Sequence, residues 1–335
     1  MAKSWREVNA VYQIYPRSFK DTNADGMGDL PGITQGLDYI SKVLGVDAIW
    51  ISPFYPSPQT DCGYDVSDYC AVDPIFGTMA DFDRLLAAAH ERGLKVMIYL
   101  VPNHTSDQHS WFQESRSSRD NPKRDWYVWR DQPNNWLSIS GGSSWEYDET
   151  TKQYYLHSFM SSQPDLNWEN PAVREAIQNV MRFWFEKGVD GFRVDAVWAL
   201  SKDPNFADDA ANDTYSGEPG AYGSFIHSSC KNGPHLSDYL ADIASVAREF
   251  PDKYILFEFY PDVMLGDENE QLQRLHAVAP DIAAPFYFEG LHKPWHATGF
   301  GEALTRYLSI VPDSGRASIC FSNHDQPRLV SRYGE

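Results

Sequence analysis

The sequence lacks several features that would assign it to a specialised class of protein. Its four cysteines form no CxxC pair and no dense framework, which argues against a zinc ribbon or a disulfide-stapled fold and predicts reduced thiols. No apolar run approaches the length that crosses a bilayer, and the first ten residues carry charges without an apolar signal core. We therefore expect a cytoplasmic protein with no membrane partner.

Positive charge is also scarce. The chain has 28 Lys and Arg against 47 Asp and Glu, which gives a formal net charge of −19 at pH 7. Phosphate backbones and anionic lipid surfaces would be repelled, because no basic stripe offsets this excess. Nucleic acid is therefore excluded as a partner, whereas a small neutral substrate would bind without such a penalty.

The residues that are present indicate an ordered α/β protein. Short apolar runs alternate with amphipathic helical patterns, which is typical of repeated β-α units, and the length of 335 residues suits a (β/α)₈ TIM-type barrel. Predicted strands lie at residues 11–15, 48–52, 96–101, 191–194, 254–257 and 317–321. The strand at residues 317–321 is taken as the seventh of the barrel, and because it lies close to residue 335, the barrel is expected to be truncated after it.

A long stretch after the third strand interrupts the β-α alternation. It is rich in Trp, Asn, Ser, Gly and Asp, and a structureless loop of that length is uncommon in a compact domain. We therefore predict that residues 103–170 form an inserted subdomain, here called subdomain B. Residues 1–102 and 171–335 would then form the incomplete barrel, without an eighth strand or a C-terminal β domain.

Charged and polar side chains follow the predicted strands at the end where barrel enzymes hold their active sites. They include His104, Arg193, Asp195, Glu258 and Asp325. Three carboxylates gathered around an arginine suit glycoside hydrolysis, although each one alone could equally cap a helix or form an ion pair. A metal-dependent hydrolase would use the same histidines and acids, but the sequence contains no HExxH motif.

Six ordered motifs resemble those of a known family. They are VYQIYPR at residues 11–17, DCGYD at 61–65, PNHTS at 102–106, QPDLN at 163–167, GFRVD at 191–195 and NHDQPR at 323–328. Together they resemble the α-amylase superfamily of glycoside hydrolases (family 13), in its α-glucosidase and oligo-1,6-glucosidase branch. The resemblance covers nearly the whole chain and implies a retaining mechanism without a catalytic cofactor.

This resemblance implies roles for individual side chains. Asp195 would be the nucleophile, Glu258 the general acid and base, and Asp325 the carboxylate that binds and distorts the sugar ring. Arg193 would orient Asp195 and keep it ionised. The implied substrate-binding residues are Asp61, Tyr64, His104, Arg193, His324 and Arg328, of which Asp61 and Arg328 would recognise the non-reducing end of the sugar.

The expected activity is hydrolysis of α-glucosidic bonds, with release of terminal glucose from a small neutral oligosaccharide or disaccharide. Ala196, the residue after the implied nucleophile, favours α-1,4 bonds, because the resemblance implies valine there in α-1,6 enzymes. Two alternatives remain open. One is a transglucosylase or sucrose-type isomerase, and the other is an inactive barrel used for binding, similar to the heavy subunits of amino-acid transporters.

A short loop near the N-terminus has the composition of a cation site. Oxygen-bearing side chains alternate through residues 21–29, as in the first half of an EF-hand, but Gly32 replaces the glutamate that an EF-hand needs. The loop resembles the calcium loop of the same superfamily, which implies structural Ca²⁺ or Mg²⁺. Its ligands would be Asp21, Asn23, Asp25 and Asp29, with the carbonyl of Met27; an Asx-rich turn is the alternative.

Three positions depart from the family pattern. Tyr99 stands where the family usually has an aspartate, Phe257 where it usually has glycine, and Ser140 where close relatives often place phenylalanine. The missing aspartate would deprive Arg193 of a partner, and a buried charge that lacks partners is costly. We therefore expect altered turnover or specificity, with all three carboxylates retained.

Overall fold

A parallel sheet is the central element of the chain. The computed structural model describes residues 3–262, 266–291 and 293–334. In chain order the strands are β1 (Val11–Ile14), β2 (Ala48–Ile51), β3 (Lys95–Leu100), β4 (Trp129–Arg130), β5 (Trp145–Asp148), β6 (Gln153–Leu156), β7 (Gly191–Val194), β8 (Ala210–Ala211), β9 (Phe225–Ile226), β10 (Tyr254–Phe257) and β11 (Ala283–Pro285). Within the described residues, the sheet has the order β1-β2-β3-β7-β10-β11.

The four inner strands of this sheet are buried along their whole length. Every residue of β2, β3, β7 and β10 is buried, which fits their nearly continuous apolar sequences and the helices that cover a parallel sheet. β7 pairs with β3 on one side and with β10 on the other. The strands predicted at residues 11–15, 48–52, 96–101, 191–194 and 254–257 are confirmed, to within one residue at either end.

Helices follow most of the strands. They are α1 (Pro16–Phe19), α2 (Leu30–Asp38), α3 (Met79–Glu91), α4 (Ser110–Ser117), α5 (Pro171–Glu186), α6 (Leu236–Arg248), α7 (Glu268–Val278), α8 (Ala297–Ile310) and α9 (Leu329–Tyr333). The Thr78 hydroxyl and the Asp81 carboxylate form a reciprocal capping box that starts α3. Among the described residues, no helix combines the length and apolarity that a membrane crossing requires.

The stretch predicted to be inserted folds around a small antiparallel sheet, in the order β4-β6-β5. It has a separate apolar cluster formed by Val128, Trp136, Trp145 and Leu156. Its two ends meet where His104 bridges to Asp165. The segment therefore leaves and rejoins the barrel at neighbouring points.

The prediction of a strand at residues 317–321 is wrong. Only Ile319 forms an isolated parallel bridge, with Tyr287. Ile319 and Phe321 are 38% and 40% exposed, so this segment lacks the second neighbour that would bury a barrel strand on both sides. A strand that was not predicted, β11, precedes it; its sequence Ala-Ala-Pro has little β propensity and is held by pairing with β10.

A buried carboxylate braces the end of the sheet opposite the predicted active site. Asp190, directly before β7, accepts hydrogen bonds from His90 Nε2 at 2.8 Å, the Val96 backbone N–H at 2.8 Å and Lys95 Nζ at 3.3 Å. Burial by itself would raise the pKa of Asp190, but these bonds and charges lower it. Asp190 therefore joins β3, α3 and β7 at the amino end of the barrel.

The close packing around Gly191, at the start of β7, can be tested by substitution. A Cβ on Gly191 would lie 2.5 Å from the Tyr254 carbonyl oxygen and 3.0 Å from Met97 Cε. We expect Gly191→Ala to lower the free energy of unfolding by about 1–3 kcal/mol, the usual cost of overpacking. Gly301→Ala is the control, because a Cβ there meets nothing within 4 Å and alanine favours helix α8. Equal urea denaturation midpoints for the two variants would contradict the prediction.

Candidate active site

The first two predicted carboxylates lie side by side because their strands are neighbours. Asp195 directly follows β7, and Glu258 directly follows β10. The Asp195 backbone N–H donates to the Leu100 carbonyl at 2.8 Å, and that of Glu258 donates to the Val194 carbonyl at 2.9 Å. Each residue thus continues the ladder by one step, so both side chains emerge at the carboxyl edge of the sheet.

One guanidinium holds both of these carboxylates. Arg193 Nη1 lies 2.5 Å from Asp195 Oδ1, and its Nη2 lies 2.5 Å from Glu258 Oε1. The Arg193 side chain is 1% exposed, whereas the two acids are 9% and 10% exposed. The second oxygen of Glu258 accepts the backbone N–H of Ala196 at 2.8 Å. The two acids are therefore fixed within a few ångströms of each other.

Burial and mutual repulsion govern the ionisation of this group. Burial, followed by the negative charge of Glu258, raises the pKa of Asp195 well above the ordinary value, although Arg193 opposes the shift. Burial works against the charge on Arg193, but the negative charges of its acidic neighbours, led by Glu258, outweigh it and raise the arginine pKa. The arginine therefore stays charged beside the two carboxyl groups.

Tyr99 occupies the place beside Arg193 where the family usually has an aspartate. The Arg193 guanidinium carbon lies 4.4 Å from the centre of the Tyr99 ring and 5.3 Å from that of Trp50. Aromatic faces attract a cation, so the arginine contacts two adjacent rings where another carboxylate was expected. Arg193 Nε has no hydrogen-bond partner within the described part of the chain.

The third predicted carboxylate belongs to a second cluster that faces the first. His324 Nε2 lies 3.3 Å from Asp325 Oδ1 and 2.8 Å from the Tyr64 hydroxyl, and the Tyr64 and His324 rings stack 5.7 Å apart. The Gln13 amide nitrogen lies 3.0 Å from His324 Nδ1 and can only donate, which places the imidazole proton on Nε2. Burial lowers the pKa of His324 and raises that of Asp325.

A third cluster connects the predicted residues Asp61 and His104. Gln163 Nε2 donates to Asp61 Oδ2 at 2.8 Å and lies 3.2 Å from His104 Nε2. Gln163 and His104 are buried, and burial lowers the pKa of the His104 imidazole. Gln163 lies in one of the six sequence motifs, but the sequence alone gave no reason to assign it a role.

These clusters surround one open cavity of about 960 Å³. It is lined by the predicted residues Asp61, Tyr64, His104, Asp195, Glu258, His324 and Asp325. Arg193 lies behind this wall. Arg328 instead lines a neighbouring cavity of about 1180 Å³ between β1 and residues 316–323, so the structure does not bring it to Asp61.

Four aromatic residues that were not predicted to belong to the site complete the wall of the cavity. Tyr15, Phe159, Trp198 and Tyr260 also line the cavity. Of the other two departures from the family pattern, Ser140 is exposed and its neighbour Ile139 faces the cavity, whereas Phe257 is fully buried in β10. Aromatic residues occur throughout the chain, so no sequence signal distinguished these four from core residues.

The predicted cation loop forms a rim of the same cavity, to which Met27 contributes. Asp21 accepts backbone N–H groups of the loop and is exposed, and those bonds, led by that of Gly26, lower its pKa. Asp29 is 4% exposed and caps α2 through the Gly32 N–H. The Asp21 and Asp29 carboxylates are therefore engaged with backbone N–H groups, and Asp29 anchors the loop to α2.

Comparison with known proteins gives the same assignment as the motifs. Residues 13–335 match the family model of the alpha amylase catalytic domain. The chain is 45% identical to an alpha-glucosidase of Schizosaccharomyces pombe and 44% identical to an oligo-1,6-glucosidase of Halalkalibacterium halodurans, with 98% and 100% of the chain covered. These alignments span 59% and 61% of the two relatives.

Solved structures agree with the sequence matches. The crystal structure of the alpha-glucosyl transfer enzyme XgtA superimposes with a TM-score of 0.88 at 43% identity, covering 98% of this chain and 62% of the other. The trehalulose synthase MutB superimposes with a TM-score of 0.84 at 40% identity, covering 100% of this chain and 60% of the other. The chain belongs to the alpha-amylase family, with its TIM-barrel fold, and spans about three fifths of these relatives' length.

The shared guanidinium predicts a large and pH-dependent effect on stability. Arg193→Leu would leave two carboxylates buried without their cation, so we expect the free energy of unfolding to fall by about 3–5 kcal/mol at pH 7. Without the cation, which opposes the effect of burial, the pKa of Asp195 would lie still further above its unfolded value near 4, so the loss shrinks as pH falls towards 4.

The matched control is Arg248→Leu, which removes an ion pair with Asp281 whose two side chains are 49% and 45% exposed. Such a pair contributes at most about 1 kcal/mol. Guanidinium unfolding at pH 7 and at pH 4.5 measures both variants. Similar losses in the two variants, or a loss from Arg193→Leu that does not shrink at low pH, would refute the prediction.

Proposed function

We propose that this chain carries the catalytic site of a retaining α-glucosidase that releases terminal glucose from short α-glucosides. The observation that carries the proposal is the pair Asp195 and Glu258 on one buried guanidinium at the wall of an open cavity. Retaining glycosidases place their two carboxyl groups about 5–5.5 Å apart, with no room for a water molecule between them. The names of the relatives, alpha-glucosidase and oligo-1,6-glucosidase, support the same substrate class.

The reaction would proceed in two displacements. Asp195 attacks the anomeric carbon, the glycosidic bond breaks, and the leaving oxygen takes a proton from Glu258. Water then attacks the same carbon, gives a proton back to Glu258, and releases Asp195. The pair is suited to this exchange because Arg193 contacts both carboxyl groups and can stabilise negative charge on either of them.

The other cavity residues would hold the glucose ring. Tyr64 presents a ring to the cavity for stacking, and His104, His324 and Asp325 present polar atoms to sugar hydroxyls. Asp61, held by Gln163, would bind the non-reducing end. The role proposed for Arg328 at that end requires its side chain to reach across from the neighbouring cavity.

A preference for α-1,4 bonds rests on the residue after the nucleophile. Ala196 lines the cavity with backbone angles in the left-handed region, at φ 42° and ψ 44°. A β-branched side chain is strained in that region, so valine at this position would cost stability as well as space. Alanine instead leaves room beside the scissile bond, which we propose for an α-1,4 linkage.

We propose that residues 103–170 act as subdomain B, and residues 1–102 and 171–335 as the catalytic barrel. The insertion supplies His104, Ile139 and Phe159 to the cavity wall, opposite the barrel carboxylates. Its separate antiparallel sheet and apolar cluster support its treatment as a unit.

Transglucosylation is the second candidate, because XgtA is described as an alpha-glucosyl transfer enzyme and MutB as a trehalulose synthase. In a retaining mechanism, a sugar hydroxyl can replace water in the second step. The metal-dependent alternative is less well supported, since His104 and His324 are engaged by Gln163 and Tyr64. Nor do three His, Cys or acidic donors converge in this cavity within the described residues.

The decisive test is glucose release from p-nitrophenyl α-glucoside, maltose and isomaltose by the purified chain and by Asp195→Asn. We expect the chain to release α-glucose first, as seen by proton NMR, to prefer maltose, and to lose activity by more than about 10³-fold in the variant. The variant also controls for contaminating enzymes. Inactivity of the unaltered chain would favour the binding-barrel reading, and transfer products at low sugar concentration would favour the transferase.

A structural cation in the loop of residues 21–29 is a separate proposal. Ca²⁺ or Mg²⁺ suits its donors, which are all oxygens: the side chains of Asp21, Asn23, Asp25 and Asp29 and the Met27 carbonyl. Because the ion would bind only the folded chain, Ca²⁺ should raise the melting temperature and EDTA should lower it, with glucose release unchanged at 25 °C. Asp21→Ala should abolish the Ca²⁺ response, whereas the exposed Asp313→Ala should preserve it. An identical response in both variants would contradict the site.

A further inference from the structure

A small hairpin behind the cavity wall brings together three side chains that the proposed reaction does not use. Strands β8 and β9 pair so that Ala210 lies opposite Ile226. One step further along the ladder, Asp209 and His227 therefore face each other, and Cys230 follows three residues later. Asp209 is 3% exposed, His227 is 5% exposed, and Cys230 is partly buried.

The donor atoms of these side chains converge on one point. One ligand atom from each of Asp209, His227 and Cys230 lies within 4.8 Å of the other two, and no other such trio of His, Cys, Asp or Glu occurs in residues 3–262, 266–291 and 293–334. His227 Nδ1 lies 3.0 Å from Asp209 Oδ2 and 3.6 Å from Cys230 Sγ.

The hydrogen bonds of His227 turn its Nδ1 towards the other two side chains. Its Nε2 lies 2.7 Å from the Tyr222 backbone carbonyl, which can only accept. Its Nδ1 faces both Asp209 Oδ2 and Cys230 Sγ. Nδ1 is therefore the ring nitrogen that is placed to bind a metal ion together with these two side chains.

The spacing of the donors matches tetrahedral zinc. With bonds of about 2.0–2.1 Å to nitrogen, about 2.0–2.2 Å to oxygen and about 2.3 Å to sulfur, tetrahedral angles put nitrogen about 3.4 Å from oxygen and about 3.6 Å from sulfur. The structure has 3.0 and 3.6 Å for these two separations. A zinc ion would therefore fit after a movement of a few tenths of an ångström at Asp209.

We propose that Asp209 Oδ2, His227 Nδ1 and Cys230 Sγ bind one Zn²⁺ ion, with water as the fourth ligand. Cys230 would bind as the thiolate, its proton passing to solvent, so the ion and its aspartate and thiolate ligands form a neutral group. A thiolate and an imidazole select zinc over the hard ions Ca²⁺ and Mg²⁺. This site is distinct from the oxygen-only loop at residues 21–29.

Outer hydrogen bonds already hold two of the ligands in the required orientation. The Tyr222 carbonyl fixes the His227 ring with Nδ1 turned inward, and the Ser229 N–H bonds Asp209 Oδ1 at 2.9 Å, which leaves Oδ2 for the metal. Metal-binding histidines typically have such a partner on the other ring nitrogen. The groups that hydrogen-bond to the ligands, as well as the ligands themselves, are therefore arranged as in a metal site.

The proposed ion would brace a wall shared by the barrel and subdomain B. Asp209 exchanges two backbone-to-side-chain hydrogen bonds with Asn135, each of 2.8 Å. Cys230 packs against the apolar cluster of the insertion. Trp198 lines the cavity of the proposed active site, and it also lines the small pocket to which Cys230 contributes. Zinc would thus hold together the loop of residues 200–230 that backs the cavity.

The test measures zinc itself and does not depend on catalysis. The purified chain is stripped with a chelator, dialysed into buffer with excess Ca²⁺, and titrated with Zn²⁺ against a chromophoric zinc chelator. We expect one zinc per chain by native mass spectrometry and a melting temperature that rises with zinc concentration. Replacement by Co²⁺ should give a near-ultraviolet thiolate-to-cobalt absorption band.

Cys230→Ser and His227→Gln should each weaken zinc binding at least about tenfold, and Cys230→Ser should also remove the cobalt–thiolate band. Cys70→Ser is the matched control, because that thiol is exposed and outside the cluster, and it should bind zinc like the unaltered chain. If the unaltered chain binds zinc no better than Cys230→Ser, the proposal is overturned, and His227 and Asp209 form only a buried hydrogen bond.

Discussion

The buried charge of Arg193 is the constraint on which the rest of the site depends. A guanidinium with 1% of its side chain exposed is tolerated only when it is paired, and both of its terminal nitrogens bind carboxylates. Those carboxylates can reach it only if β7 and β10 are adjacent and in their observed register. The strand order and register of the sheet therefore determine whether the site can form, because a slip of the register would separate Asp195 from Glu258.

Residues close in sequence were predictable, and contacts between distant residues were not. The inner strands are uninterrupted apolar runs, and Asp195, Glu258 and Asp325 lie in or after recognisable local patterns. β11 was missed because Ala-Ala-Pro has no strand signal of its own and depends on its neighbour. The role of Gln163 was missed because its partner Asp61 is 102 residues away, and a separation of that length leaves no trace in local periodicity.

The substitution at Tyr99 changes how the buried arginine is stabilised. A carboxylate at that position would place a third acid around the same guanidinium. The ring offers a weaker, uncharged attraction, which leaves the arginine more strongly dependent on Asp195 and Glu258. Arg193 Nε, which has no hydrogen-bond partner among the described residues, adds an unsatisfied polar cost inside the core. With tyrosine in place of the family's usual aspartate, the positive charge of Arg193 is therefore balanced mainly by Asp195 and Glu258.

The two ends of the sheet carry their charges for different purposes. At the amino end, Asp190 joins β3, α3 and β7 through three hydrogen bonds and faces no cavity that contains the carboxylates. At the carboxyl end, the side chains of Asp195 and Glu258 are almost completely buried, and burying a carboxylate is energetically costly. Thermal stability and the chemistry of the cavity can therefore be altered separately. Substitutions around Asp190 would change the stability of the barrel without altering the cavity, and substitutions in the cavity wall would leave the contacts of Asp190 intact.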